Sequence, residues 1–452
     1  MINHLVIVFL VFCFVLPDHI TLADDHHLSF SVRTELKNPD FPLILGNKKW
    51  DSGEVIDLTS HHNLGLTRSS GKLKGWSIVL QPSGSWAWNI GTGEARLDYM
   101  PTAARQPIND GAWHDVAFSF IEKERIIRLF YDGQMVSVYS LDDLHEEDLY
   151  SLFEAKLKVN KSQFDVKNIS NDPQDHRIAL TTPTQQSRVD EIKLLCWNIW
   201  HGGRRDGNTR GLQTTIGIIK ESAADIICMQ ETYGSGPVIA DSLGYIFYYR
   251  SSNLSIHTRY PIIDTHGEGD PFRIGGVTLR LSDEQQIRVF SLWINSSPNV
   301  DVTIPNAMDA DTLITLENTT RVKEINEILS KIRPLGKSIP IIVAGDFNSP
   351  SHLDWTEGTS NWHRGLIVEW PVSKSMIKAG YSDAFRDVYP EPTSNYGRTW
   401  SPRFISSACH ERIDHIYHQG GSLRPVQAAM LDRNSIQWPS DHAAVLVSFT
   451  LR

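Results

Sequence analysis

The sequence predicts two domains, an all-β part followed by an α/β part of layered sheets. Three observations carry this. The chain has 452 residues, too many for one ordinary domain. From residue 28 to about 165, apolar and polar residues alternate with period two between turn signals. From residue 191 onward, short apolar runs alternate with stretches of helical period.

Residues 1–23 read as a secretory signal peptide. Leu5 to Leu16 is an apolar run of 12 residues, shorter than the roughly 20 needed to cross a bilayer. Thr21-Leu22-Ala23 supplies small residues suited to cleavage, although Met1 to His4 carries no Lys or Arg. No later stretch is apolar and long enough for a transmembrane helix, so a secreted or lumenal location is expected. Five Asn-x-Ser/Thr triplets, at Asn160, Asn168, Asn253, Asn295 and Asn318, are compatible with that route. Cys196, Cys228 and Cys409 remain after cleavage. An odd three excludes a disulfide scaffold, and the first two lie in apolar runs that suit buried thiols. The net charge of -10 gives no support to a broad basic nucleic-acid surface. It leaves room for a nuclease whose metal handles the phosphate.

In the first part, Val116, Phe118 and Phe120 alternate with smaller or polar residues. Glu122-Lys123-Glu124-Arg125 turns the chain, and Ile127, Leu129 and Tyr131 resume the alternation. Asp132-Gly133 turns again before Met135 to Tyr139, which makes an antiparallel meander. The phrase DGAWHDVAFSFIEKERIIRLFYDG, residues 110–133, resembles laminin-G or concanavalin-like sandwich domains. That resemblance implies an all-β sandwich over 24–167 with a possible glycan or matrix ligand. Trp113 and His114 are expected to pack and hydrogen-bond, and no acidic cluster reads as a calcium site. Residues 168–190 are polar, contain two prolines and lack a sustained period, as a linker does.

In the second part, Leu194 to Trp200 and Ile226 to Met229 read as buried strands around a helix over 209–222. Val322, Ile325, Leu329 and Ile332 share one helical face. Ile339 to Ala344, 412–418 and 443–449 complete the strand-like runs. Polar residues recur where these runs end: Asn198, Glu231, Asp346, Asn348, Asp414, Asp441 and His442. Each alone could be a cap or turn. Asp346 and Asn348 stand two apart in IPIIVAGDFNSP, so an extended backbone would put both on one face. Ligands collected at strand ends are what a rigid site on an α/β scaffold needs.

The ordered series Asn198, Gln230-Glu231, Gly345-Asp346-Phe347-Asn348, Arg412-Ile413-Asp414 and Ser440-Asp441-His442 resembles the endonuclease/exonuclease/phosphatase superfamily. Its members include abasic-site endonucleases, deoxyribonuclease I-like enzymes, neutral sphingomyelinases and inositol-polyphosphate phosphatases. YSDAFRDVYP, residues 381–390, adds a segment similar to one in the abasic-site endonucleases. The likeness spans 191–452 and implies a four-layer α/β sandwich around two β-sheets, with the site at one edge.

The resemblance implies a divalent-metal-dependent phosphoesterase acting through a metal-activated water, with Mg²⁺ as the cation and Mn²⁺ as a possible substitute. A phosphate ester resists an anionic nucleophile, and a divalent cation neutralises its oxygens. Mg²⁺ takes one or two hard oxygen ligands and keeps waters, so Glu231 is the first expected ligand, with Asn198 and Asp441 beside it. Asp346 would orient the water or take its proton, and Asn348 would donate to a phosphoryl oxygen. His442 would contact the phosphate or act as base, held in one tautomer by Asp414. His201, Arg204 and Arg205, in the loop after Asn198, are candidates for substrate contact. Asp383 and Trp400 are expected to be structural or to shape the substrate site.

One position departs from the family. Trp293 stands where a His or Tyr usually assists the leaving group, and indole offers a single N–H that does not transfer protons at neutral pH. His257 is a candidate substitute. A phosphodiesterase fits better than a phosphomonoesterase, because HERIDHIY (410–417) replaces the Pro-x-Trp-Cys-Asp-Arg type motif of the inositol phosphatases. Nucleic acid, a phospholipid and a small molecule all stay open as substrates. The alternative is an extracellular glycan- or matrix-binding protein with a degenerate phosphoesterase domain. Trp293 is its best argument, and the retention in order of Asn198, Glu231, Asp346, Asn348, Asp414 and His442 stands against it.

Overall fold

Alternation in the first part produces two sheets packed face to face. The computed structural model describes residues 25–37, 40–51, 69–70, 73–144, 146, 148–178, 187–404, 409–434 and 437–452. The signal-peptide segment 1–23 lies outside them. One sheet places Asp165–Ser170, Asp25–Arg33, His114–Ile121, Ile126–Tyr131 and Gln134–Ser140 side by side, all antiparallel. The other is built around Leu43–Gly46, Lys74–Leu80, Trp86–Thr92 and Ala95–Tyr99. Phe30, Trp76, Trp88, Phe118 and Leu129 fill the space between. The expected meander over 114–140 is present. His114 is held by Asp110, Asp132 and Tyr131, as a hydrogen-bonding residue should be. Trp113 differs from expectation: it is 37% exposed, with Lys167 3.7 Å above its ring.

The first residues of the segment read as a linker are part of a strand. Asp165–Ser170 is an edge strand, so residues 168–170 belong to the sheet. Asp175 then accepts from Ser29 and Arg177 and pins the following turn. Polar residues at an exposed sheet edge read like a linker because only one of their neighbours is a strand.

The two parts share one continuous sheet. Gln134–Ser140 pairs in parallel with Ile246–Tyr249, matching Ser137 to Phe247 and Tyr139 to Tyr249. The five strands of the first part thereby extend six of the second into an 11-stranded sheet. Each of these strands would otherwise expose a row of unpaired backbone groups. Tyr139 and Leu141 join Ile239, Tyr245 and Phe247 in a single apolar cluster across the junction.

The second part is a four-layer sandwich. Its share of the long sheet runs Ile246–Tyr249, Ser255–Thr258, Ile226–Gln230, Glu191–Asn198, Ala444–Leu451, Leu423–Leu431. The opposing sheet runs Ile262–His266, Ile274–Arg280, Gln286–Trp293, Ile341–Asp346, Asp414–Gln419, Ser382–Asp383. Between them lie Leu194, Cys196, Cys228, Val289, Ile342, Ile416 and Val447. Helix Arg210–Ser222 covers the outside of the first sheet through Ile218 and Ile219. Helices Arg321–Ile332 and Pro371–Lys378 cover the second through Ile325, Leu329 and Met376. Strands covered on both faces read as continuous apolar runs, and Ile341–Asp346 is buried at all six positions. Cys196, Cys228 and Cys409 are buried, and among the described residues none of them forms a disulfide. Among the described residues no helix is long and apolar enough to cross a membrane.

Candidate active site

Strand register brings the polar residues to one edge. Glu191–Asn198 runs parallel to Ile226–Gln230 with Asn198 opposite Gln230, so Glu231 follows directly beside Asn198. Gln286–Trp293 runs parallel to Ile341–Asp346 with Trp293 opposite Asp346. Asp346 is in turn opposite Asp414. Asp441 and His442 immediately precede Ala444–Leu451, the other neighbour of the Asn198 strand.

The turn at Asp346 serves the site. Asp346 Oδ1 accepts from Asn348 N at 2.9 Å, the side-chain bond by which Asp closes a turn. Asn348 adopts a left-handed φ of 49° and donates one amide hydrogen to Ile294 O at 2.9 Å. Phe347 points away, into the core against His415 and Tyr417.

Asn198 ties the acids together. Its Nδ2 donates to Glu231 Oε1 and to Asp346 Oδ2, both at 3.2 Å. Its Oδ1 accepts from Trp200 N. Glu231 Oε2 accepts from His201 N at 3.0 Å, and the His201 ring stands 4.0 Å from the same carboxylate. His442 Nδ1 lies 2.8 Å from Asp414 Oδ2, while Nε2 faces Asp346 Oδ2 at 3.8 Å and Asp441 Oδ1 at 4.0 Å.

These groups share few protons in little water. Burial pushes the Asp346 carboxyl up to about 7, with His442 opposing and Asp414 adding to the rise. Asp441 is likewise raised to about 7 by burial, with His442 opposing and Glu231 adding. Burial alone would lower His442, but Asp414, Asp346 and Asp441 hold its imidazole well above the ordinary 6.5. A ring so held points Nε2 at Asp346, which is placed to exchange a proton near neutral pH.

The surroundings are built to hold this geometry. Thr399 Oγ1 accepts from both Ile413 N and Asp414 N. Ser440 Oγ donates to Asn198 O and accepts from His442 N. The His442 carbonyl takes the indole N–H of Trp197 and of Trp438. Behind Asp414, the buried Arg412 guanidinium is bonded to Asp354 and Asp383. Removing one partner of such a pair typically costs about 3–5 kcal/mol. Asp383 is thus a structural counter-charge. Trp400 sets its ring 5.0 Å from that of His442.

Other sequence candidates fall in different places. Trp293 is nearly buried, edge-on to Phe272, with the Arg273 guanidinium 4.8 Å above its ring. His257 does not reach the site: it lies fully buried beside Phe247, in a strand away from the edge, and burial lowers its pKa to about 3. The Asn253 triplet is not a glycan acceptor in this fold. Asn253 is fully buried, accepts from Glu231 N at 3.0 Å and donates to Phe272 O. Sequence reasoning missed Asn253 because the triplet disguises it, and missed Trp200. The latter adjoins His201, with Arg205 4.4 Å and Arg403 5.1 Å from its ring. Arg204 follows in the same loop.

The donor set fits a hard divalent cation. Donor atoms of Asp346, Asp414 and His442 lie within 4.8 Å of one another. The 2.8 Å Asp414–His442 bond ties two of them together. Asp441 Oδ1 is buried with no hydrogen-bond partner, and Glu231 raises the Asp441 pKa from nearby. Oxygen ligands of this kind suit Mg²⁺-like ions.

Residues 195–442 match the Endonuclease/Exonuclease/phosphatase family. An uncharacterized protein of Caenorhabditis elegans, F14F9.5, is 28% identical over 299 residues, covering 59% of this chain and 94% of that protein. An exodeoxyribonuclease of Bacillus subtilis (strain 168) is 28% identical over 218 residues, covering 47% of this chain and 81% of that one. An AP endonuclease structure from Archaeoglobus fulgidus overlays with TM-score 0.41 at 16% identity, covering 57% of this chain and 98% of that one. The family match spans more than half of the chain and includes every residue of the edge cluster, so the protein belongs to the endonuclease/exonuclease/phosphatase family and is a phosphoric ester hydrolase.

Proposed function

We propose that the protein hydrolyses a phosphodiester with water, assisted by a divalent cation that is Mg²⁺ by preference and Mn²⁺ by substitution. One observation carries this reading: Asp346 stands between the Nε2 of an Asp414-held His442 and the amide of Asn198, which bridges it to Glu231. Glu231 and Asp441 would hold the cation, with Asn198 fixing Glu231. The cation supplies neutralisation of the phosphate oxygens and of the charge that develops on them. Asp346 aligns the attacking water and takes its proton. The second amide hydrogen of Asn348 and Nε2–H of His442 donate to phosphoryl oxygens.

The mouth favours a nucleotide or nucleic-acid diester. The guanidiniums of Arg205 and of Arg403, the latter paired with Asp206, lie 4.4 and 5.1 Å from the Trp200 ring, and exposed Phe404 lies 5.6 Å from it. Aromatic rings beside cations stack bases and attract the backbone. His201 and Arg204 border the same loop as substrate-contacting residues. Trp293, replacing the usual proton donor, slows turnover of esters with a poor alkoxide leaving group, nucleic acid among them. The N-terminal module is read as a laminin-G-like binder of glycan or matrix on a secreted protein. The support is its Asp-Gly-x-Trp-His phrase and the apolar run Leu5 to Leu16.

The test is hydrolysis of bis-p-nitrophenyl phosphate, p-nitrophenyl phosphate, single-stranded DNA and sphingomyelin, each with Mg²⁺, Mn²⁺ or EDTA, beside Asp346→Ala. Diester cleavage lost with EDTA and with the variant supports the reading. Silence across the panel from a folded protein that binds glycan would favour a binding protein with a degenerate site.

A further inference from the structure

We propose that the Ser140–Asp143 loop of the N-terminal module is a working part of the active site, positioning Glu231 through the hairpin turn at residues 250–254. The proposal rests on Glu231 as a cation ligand. Two faces of that turn carry it. On the module's side, the buried Arg250 guanidinium is bonded to the Asp142 carboxylate and to Ser140 Oγ. Its remaining hydrogens go to the carbonyls of Gly267, Gly269 and Ile274. The side chain passes so close to Gly275 that a Cβ there would sit 2.3 Å from Arg250 Cγ. Asp143 Oδ2 accepts from Tyr249 Oη at 2.7 Å and from Ser252 N at 2.8 Å.

On the catalytic side the same residues build the Glu231 turn. Asn253 Oδ1 accepts from Glu231 N at 3.0 Å, Asn253 O from Thr232 N at 3.1 Å, and Ser252 O from Tyr233 N at 2.8 Å. Glu231 and Tyr233 both have left-handed backbones, with φ of 55° and 37°. Side chains other than glycine keep such conformations only where their surroundings impose them. Asp143 is therefore two hydrogen-bonded residues away from the ligand, and it is anchored by the strand pairing of Gln134–Ser140 with Ile246–Tyr249. A module that served only as a tether would need neither carboxylate in this seam.

The decisive experiment uses the full chain and amide hydrogen exchange with and without Mg²⁺. Coupling is reciprocal, so Mg²⁺ binding should slow exchange at residues 231–233 and also at 249–253 and 140–144. Asp143→Ala should weaken Mg²⁺ binding in calorimetry by about tenfold, within the usual range for coupled sites, and speed exchange at 231–233. Asp143→Asn keeps an acceptor oxygen and should restore most of the loss. Protection confined to 231–233, or an Asp143→Ala protein of lowered Tm with native Mg²⁺ affinity, would overturn the proposal and leave the loop a purely structural contact. Should Asp143→Ala fail to fold, the exchange measurement on the native chain decides alone. The Glu231 assignment is checked separately: Glu231→Gln with native Mg²⁺ affinity would remove the ligand reading, while exchange in Asp143→Ala would still report whether the module holds the turn.

Discussion

His442 Nδ1 and Asp414 Oδ2 are 2.8 Å apart, and this bond turns the ring so that Nε2 faces Asp346 at 3.8 Å. Asp414 also leaves its second oxygen buried without a hydrogen-bond partner, so it is held for its charge at some expense in stability. Asp414→Asn should therefore lower kcat by about 10²- to 10⁴-fold, the usual range for acid–base catalysis. KM should stay close to native. Calorimetric Tm should fall, because asparagine leaves the buried His442 ring without its charge partner, a change that typically costs about 3–5 kcal/mol. Native kcat in a protein of lowered Tm would show Asp414 to be structural instead.

Glu231 receives N–H donors on both oxygens, from Asn198 and from His201. Glutamine preserves the shape but places an amide where one of those donors points, and it removes the charge. Native protein should gain about 2.7 kcal/mol when Mg²⁺ stands at a hundred times its Kd, seen as a rise in Tm that EDTA abolishes. Glu231→Gln should lose most of that rise. A variant still stabilised by Mg²⁺ as strongly as the native chain would move the cation to other carboxylates.

The site was more legible in the sequence than its support. Asp346, Asp414 and Asn198 stand at the ends of apolar runs, and period and run length record which residues leave a strand together. Neighbouring strands then need only correct register to bring them into contact, as Asp346 and Asp414 are. The junction between the modules left no such trace. Val138 belongs to a run that reads as an ordinary strand, and nothing local says that its edge meets Tyr248, 110 residues further on. Asn253 was hidden for another reason: a buried asparagine that caps a turn and a glycan acceptor look alike as a three-residue pattern. Trp293 is opposite Asp346, a pairing that no local pattern records.

Because Trp293 is opposite Asp346 and nearly buried, its replacement is a direct probe of leaving-group assistance. Trp293→His restores a group able to donate a proton. It also empties space against Phe272 and Arg273, and such a large-to-small change costs about 2–5 kcal/mol in a core. On an activated nitrophenyl diester the rate should change little, since that leaving group departs unaided. On an unactivated diester kcat/KM should rise by about 10²-fold, the lower end of general-acid effects. Equal effects on both esters would mean that position 293 shapes binding and does not touch proton transfer.

His415, the strand neighbour of Asp414, offers a pH test of its own. It is fully buried, with Nε2 3.0 Å from Ser349 O and Nδ1 3.0 Å from Arg412 Nη1, so the neutral ring donates to one and accepts from the other. Burial lowers its pKa to about 4, Arg412 adds to the fall, and Asp383 opposes it. In the unfolded chain the ring titrates near 6.5. As pH falls below that value the unfolded state binds a proton that the folded state refuses, so stability is present above about 6.5 and is lost toward 4. The full loss is about 3 kcal/mol. Asp346 and Asp441 work in the opposite sense: with folded values near 7, they take up protons first in the native state and add stability as pH falls. The informative quantity is therefore the difference between native protein and His415→Gln, measured by urea unfolding from pH 7.5 to 4.5. Glutamine keeps a donor and an acceptor and cannot be protonated. The variant should be the less stable protein at pH 7.5 and close the gap, or overtake, by pH 4.5. A difference that stays constant across that range would mean that His415 carries its proton in the folded state.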